Sequence, residues 1–306
     1  MSYKPTMAEI KQLRARSGAG IRDCKNALVE SEGEIQGAFD WLRMRGIAKA
    51  AKKSNRIAAE GTISAKIEGN TGVLLEVNCE TDFAAGTEDF KQFVQDTAQL
   101  ILEKSLNTMD ELSQAEWSNG MKTDEYIKQV VFKIGENVKI RRFSRFESAE
   151  GTHLHYYVHG TRLGGFVEVA APGGEKTENV LDELCMHIVA SRPQYIASSD
   201  IPAEILNKEQ EIEMERAAQD ESLANKPEKV LKGIILGRIK KWSKSIALLE
   251  QEWYEEKMPT AKKIKEFGDD LGGSVQVKRF AMYGLGDGIE KKQDNFAEEV
   301  ASMSQS

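Results

Sequence analysis

In Thr62-Ile63-Ser64-Ala65-Lys66-Ile67-Glu68-Gly69-Asn70-Thr71-Gly72-Val73-Leu74-Leu75-Glu76-Val77-Asn78-Cys79 the chain changes from a helical to a strand period. Two β-rich runs, Thr62–Ile67 and Val73–Cys79, flank the polar, glycine-bearing turn Glu68–Gly72, a hairpin signal. A helix follows, with Phe90, Phe93, Val94, Thr97, Leu100 and Ile101 on one side. The same order returns downstream: strands at Leu154–Val158 and Leu163–Ala170, then a helix through Val180, Leu184, Ile188 and Val189. Gly72, Glu76 and Val77 match Gly164, Glu168 and Val169 at one constant offset of 92 residues. This duplication predicts an α+β core of two related halves, joined with approximate two-fold symmetry.

Upstream, the segment to about Asn55 reads as three short helices. Thr6-Met7-Ala8-Glu9 is a capping box, and Ile10 and Leu13 begin an apolar face. Gly18-Ala19-Gly20 breaks the helix. Ile21, Cys24, Ala27 and Leu28 carry the next face, and Ile35, Ala38, Phe39 and Leu42 the third, with Gly46 as its expected end. Lys49–Lys53 is a basic connector, read either as a solvated linker or as a contact with an acidic surface. Between the two hairpins, Ser113–Lys122 reads as a loop, Tyr126, Ile127, Val130, Val131 and Ile134 as a helix, and Val138–Phe146 as a strand.

Beyond Arg192 the chain is rich in Glu, Lys and Gln. Ile205, Ile212 and Ala218 form a thin apolar stripe, and Pro227 starts a second helical run through Val230, Ile234, Ile235, Arg238 and Ile239. Joined by Asp220–Lys226, these predict a protruding antiparallel helical hairpin. Ala261–Phe267 reads as a helix and Ser274–Tyr283 as a strand. Gly284–Gly288 is a flexible joint before a last amphipathic helix bearing Phe296, Val300 and Met303. The expected divisions are 1–55, 56–150, 151–191 with 258–284, 192–257, and 285–306.

The 306 residues carry a net charge of −7, with 30% charged and 40% apolar residues, as in a soluble chain of two or three packed units. Broad binding to nucleic acid or to anionic membrane needs clustered Lys and Arg, so neither is expected. No run approaches the ~18 apolar residues of a membrane span, and Met1–Pro5 has no apolar signal core, so a cytoplasmic location is expected. Cys24, Cys79 and Cys185 are too few and too scattered for a disulfide framework or a zinc site. Phosphate-loop, HExxH and GxSxG signatures are all missing. His153, His155 and His159 alternate on one predicted strand and so share a face. With no cysteine or clear carboxylate beside them, neither a metal nor another cofactor is expected. Cys24 lies on an apolar helical face, and Cys79 ends a strand with no base in view, so neither is read as a nucleophile.

The most informative stretch is Asn78-Cys79-Glu80-Thr81-Asp82-Phe83. In one reading Thr81 or Asp82 caps the next helix and Phe83 fills core. In the other, Phe83 is an exposed aromatic wedge beside a carboxylate, an anchor for a partner's pocket.

Here the sequence resembles the elongation factor Ts family. Leu13–Gly20 followed by Asp23-Cys24-Lys25 and Ala27-Leu28 is similar to its N-terminal signature, and Glu76–Phe83 is a second match. Lys133–Asn137 with Arg141-Arg142, His159-Gly160 with Arg162 and Gly164, Gly286–Glu290 and Phe296–Val300 extend the resemblance collinearly along nearly the whole chain. The resemblance implies a UBA-like N-terminal three-helix module, a two-part core, a helical hairpin insertion and a C-terminal helical module. It implies a non-enzymatic guanine nucleotide exchange factor whose partner is the GTPase elongation factor Tu. By resemblance, Thr81, Asp82, Phe83 and Ala84 enter the partner near its magnesium and phosphate site. Arg14 and Lys25 belong to an N-terminal contact region, and Ile134, Gly135, Asn137 and His159 match core positions that face the partner. Two departures stand out: Ala84 where the family usually has valine, and Arg22 where it tends to place methionine. Two other classes compete. One is a ribosome- or RNA-associated module resting on Lys49–Lys53 and Arg141-Arg142; the other is a small-molecule enzyme using the histidine strand.

Overall fold

The computed structural model describes residues 3–223 and 226–290. Helices α1 (Met7–Ser17), α2 (Ile21–Glu30) and α3 (Ile35–Lys53) form the N-terminal bundle. The capping box is present, with Thr6 and Glu9 exchanging side-chain and backbone hydrogen bonds, and α1 ends at Gly18 in the left-handed region. Ile10, Leu13, Cys24, Ala27, Leu28, Ala38 and Leu42 are its core. Gly46 does not end the third helix, which continues to Lys53. The glycine serves close packing instead: a Cβ there would meet the Phe132 ring at 3.1 Å. The basic connector is therefore the last turn of α3.

Strands β1 (Glu60–Glu68) and β2 (Thr71–Cys79) pair antiparallel. Next come α4 (Asp82–Ala85), α5 (Glu88–Glu103), α6 (Met109–Gln114), α7 (Thr123–Ile134) and β3 (Val138–Glu147). The second half runs β4 (Thr152–His159), β5 (Leu163–Ala170) and α8 (Glu175–Ser191). Helices α9 (Ala203–Gln219) and α10 (Glu228–Ile246) then interrupt it, before α11 (Thr260–Leu271) and β6 (Gln276–Gly284) complete it. The fold is α+β: two three-stranded antiparallel sheets, β1-β2-β3 and β4-β5-β6, each with its hairpin's second strand in the middle. Phe90, Phe93, Val94 and Ile101 of α5 pack on the first sheet, and Leu181, Leu184 and Ile188 of α8 on the second.

The sheets meet through Ile63, Leu74, Phe146, Phe166 and Tyr283. The glycines matched at the 92-residue offset make this approach possible. A Cβ on Gly72 would lie 2.3 Å from the Phe166 ring, and one on Gly164 would lie 2.5 Å from Ile63. The matched acids also have a structural cause. The outer strands bulge opposite them: the register skips Arg141 of β3 between Glu76 and Val77, and Lys278 of β6 between Glu168 and Val169, so each bulge faces a buried carboxylate on the central strand.

In the inserted hairpin the apolar seam differs from the expected one. Ile205 and Ala218 are exposed, and Glu213 and Ala217 are buried. The inward line runs Leu206, Glu209, Glu213, Ala217, at helical spacing that bypasses Ile205 and Ala218. Glu213 is tied to Arg216 at 2.6 Å and to Arg238 at 3.5 Å, so an ionic pair occupies a place where a core helix would have leucine. Trp253 is buried, stacked on His187 with ring centroids 4.5 Å apart. The expected terminal helix of Phe296, Val300 and Met303 lies outside the described residues. No helix among the described residues is long and apolar enough to cross a membrane.

Candidate functional site

The ladder between β2 and β3 ends at the Cys79–Val138 pair. Past it, side chains take over the cross-strand bonding. The Asn137 N–H donates to Glu80 Oε1 at 2.6 Å, and Glu80 also meets Arg56 at 3.2 Å. In the opposite direction, Glu136 accepts from the Thr81 N–H at 2.9 Å and from the Thr81 hydroxyl at 2.7 Å. Thr81 is extended and caps α4, its Oγ1 accepting from the Ala84 N–H at 3.2 Å. Threonine suits this place because its hydroxyl donates and accepts at once.

On this mount Phe83 is 86% exposed, so the core-filling reading is overturned. Asp82 beside it is exposed too. Ala84 is buried in the core of the first sheet, so the departure from valine lies beneath the turn, not on its outer face. Cys79 lies behind the turn, its thiol donating to the Thr81 carbonyl at 3.1 Å. Burial, and then the nearby Glu136 charge, push its pKa up to about 12, so it has no thiolate character at neutral pH.

The other expected residues fall into three places. Gly135 is exposed and left-handed where it ends α7, and Lys53 donates to its carbonyl. Ile134 packs half-buried on the core of the first sheet. Asn137 is buried, and its amide donates to Arg56 O at 2.7 Å and Ser54 O at 3.3 Å, tying the end of α3 to the Glu80 clamp. These three stand around the Thr81 mount. His159 is exposed at the tip of β4, its Nδ1 3.0 Å from the Tyr157 hydroxyl. That tip is joined to the same end of the first sheet by the Arg162–Glu60 pair at 3.0 Å, Glu60 being opposite Cys79. Arg14 and Lys25 are exposed on the N-terminal bundle. The bundle's Gly18 turn abuts Lys133, one residue before Ile134.

The three strand histidines are spent separately. His153 contacts the Ala171 carbonyl at 3.2 Å and His155 contacts Asp182 at 3.4 Å. Among the described residues no group of three or more His, Cys, Asp or Glu side chains is placed to hold a metal. Sequence reasoning missed Glu80 and Glu136. Both lie inside quoted motifs, but only the register brings them together.

Residues 80–287 match the family model described as Elongation factor TS. The chain is 40% identical over 304 residues to Elongation factor Ts of Symbiobacterium thermophilum, covering 96% of each chain. It is 39% identical over 304 residues to Elongation factor Ts of Clostridium perfringens, covering 97% of this chain and 98% of that protein. It is 40% identical over 296 residues to the same factor of Alkalilimnicola ehrlichii, covering 96% of each. The chain belongs to the elongation factor Ts family. Membership places it among the nucleotide exchange factors of translation elongation. The family match opens at Glu80, the first residue of the clamp, and closes at Asp287, whose carbonyl accepts from Arg141.

Proposed function

We propose that this chain binds elongation factor Tu in its GDP-bound form and drives GDP release by pressing Phe83 into the partner beside its magnesium and phosphate site. The observation that carries the reading is a large aromatic standing 86% exposed on a turn held from below. An exposed aromatic on a mobile loop would lose much of its binding energy to ordering; a pre-held one does not. Thr81 and Ala84 form the mount, and Asp82 beside Phe83 engages the partner by hydrogen bonds or by its charge. Arg14, Lys25, Ile134, Gly135 and His159 supply further contacts. Asn137 acts from beneath, by fixing the loop that carries Gly135. The chain works as the divisions given above, with the core halves as the frame and the helical hairpin as an appendage. It acts in the cytoplasm and forms no stable complex with nucleic acid.

No covalent chemistry is required. A GTPase holds GDP through backbone amides, a lysine and magnesium acting together. A factor that binds the empty state more tightly than the filled one weakens the nucleotide by the same factor by which the nucleotide weakens it. Each tenfold of mutual weakening takes about 1.4 kcal/mol. Stopped-flow release of fluorescent GDP from elongation factor Tu tests the reading. At saturating factor, Phe83→Ala is expected to slow release more than it weakens binding; an unchanged release rate would refute the wedge.

A further inference from the structure

We propose that Glu136 is the positioning residue that holds the Phe83 turn in its projecting form, acting through Thr81 without touching the partner; the inference rests on the exchange reading above. A single four-residue helix cannot hold itself in water, because forming the first turn fixes several residues for one hydrogen bond. Phe83 adds little anchoring, since it is almost wholly exposed. Ala84 seats the turn on the core, and the Thr87 hydroxyl donates to the Ala84 carbonyl at 2.7 Å from the C-terminal side; on the N-terminal side the two oxygens of Glu136 take both the N–H and the hydroxyl proton of Thr81. Accepting the hydroxyl proton is the decisive contact. It leaves a Thr81 lone pair to face the Ala84 N–H, which it accepts at 3.2 Å. Glu136 thus sets the donor–acceptor sense of the cap. Hydrogen bonds to a charged acceptor are also stronger than neutral ones. The reciprocal bond from the Asn137 N–H to Glu80 keeps the segment bearing Glu136 in register with the segment it grips.

The test has two independent readouts on the full-length chain. The first is amide hydrogen exchange in the free protein. Glu136→Ala is expected to speed exchange at Ala84, Ala85 and Gly86 by about tenfold, leaving the amides of Val73–Val77 unchanged. Unchanged protection at Ala84–Gly86 would overturn the proposal. The second is GDP release from elongation factor Tu against factor concentration. Glu136→Ala is expected to lower the maximal rate by about tenfold, with a smaller change in the half-saturating concentration. Glu136→Gln, which keeps an acceptor for the hydroxyl, is expected to recover part of that loss and gives a folded variant should the alanine form melt early. If Glu136→Ala releases GDP at the wild-type rate while Phe83→Ala slows it, the positioning role is wrong and the wedge stands. If Phe83→Ala also leaves the rate unchanged, the wedge has failed, and hydrogen exchange alone decides whether Glu136 holds the turn.

Discussion

In the first half of the core, Glu76 of β2 lies opposite the bulge of β3 and takes Arg142 at 2.6 Å; in the second, Glu168 of β5 lies opposite the bulge of β6 and takes Arg279 at 2.6 Å. Each arginine then crosses to the other sheet. Arg142 stacks over Tyr283 at 4.2 Å and donates to Gly284 O, while Arg279 stacks over Phe146 at 4.4 Å and donates to Glu147 O. The halves are strapped together by the same device used twice. They part where the central strands end. After β2 the chain makes the clamped turn that lifts Phe83. After β5 it runs through Ala171-Pro172-Gly173-Gly174 into α8, with Thr177 donating to Pro172 O at 2.6 Å. The strapped frame is common to both halves, and the clamped turn that carries Phe83 is a short graft on one copy.

The largest expected effect separates the two carboxylates. Glu76 is fully buried and also accepts from Arg141 and from the Gly286 N–H at 2.8 Å. Glu168 has Arg279, the Thr152 hydroxyl and the Ala149 N–H. Denaturant unfolding is expected to give a loss of about 3–5 kcal/mol for Glu76→Ala. For Glu168→Ala, whose arginine is more exposed, a loss of about 2–3 kcal/mol is expected. Equal losses would mean that the extra Glu76 partners add nothing.

Acid should distinguish the halves next. Burial holds the His187 pKa down, from 6.5 to about 4. Its folded value lies below its unfolded one, so the stability it accompanies is complete above pH 6.5 and is lost as the pH falls towards 4, about 3 kcal/mol over the window. For Glu76, burial pushes the carboxyl up, but the Gly286 N–H and the two arginines outweigh it and leave it below 4.5. For Glu168, burial again pushes up, and Thr152, Arg279 and the Ala149 N–H hold the group below 4.5. Their contributions are complete above pH 4.5 and are lost only below it. The second half, which contains His187, should therefore weaken first. Unfolding followed by the fluorescence of Trp253, with Trp41, Trp117 and Trp242 replaced by phenylalanine, should lose stability between pH 6.5 and 4, and His187→Gln should flatten that slope.

The glycine pair tests the close approach of the sheets. Gly72→Ala and Gly164→Ala are each expected to cost about 1–3 kcal/mol through overpacking, measured by thermal melts. A harmless Gly72→Ala would show that Phe166 yields easily. The smallest stability effect belongs to the graft: Phe83→Ala, and Gly173→Ala in the other half, should each move stability by under about 0.5 kcal/mol. Only the former should slow nucleotide release.

Much of this was legible in the sequence because periodicity and turn chemistry are local. The hairpins and the capping box are read from neighbouring residues, and the offset of 92 residues from one local pattern occurring twice. Gly46 misled because its reason is Phe132 on another helix. The hairpin stripe misled because Glu213 is buried by its pairing with Arg238, 25 positions away along the chain. At the site, Thr81 could be named as a cap, but whether Phe83 fills core or stands exposed could not be told from the sequence. The clamp required Glu80 to reach Asn137 and Glu136 to reach Thr81 past the paired ends of β2 and β3, which no spacing along the chain reveals.

The most direct test is to measure affinity for empty and for GDP-filled elongation factor Tu, for the wild-type chain and for Phe83→Ala. The wild-type chain should bind the empty form more tightly, and the variant should keep a narrower gap. Equal affinity of the wild-type chain for both forms would contradict the exchange mechanism, and an unchanged gap in the variant would contradict the role of Phe83.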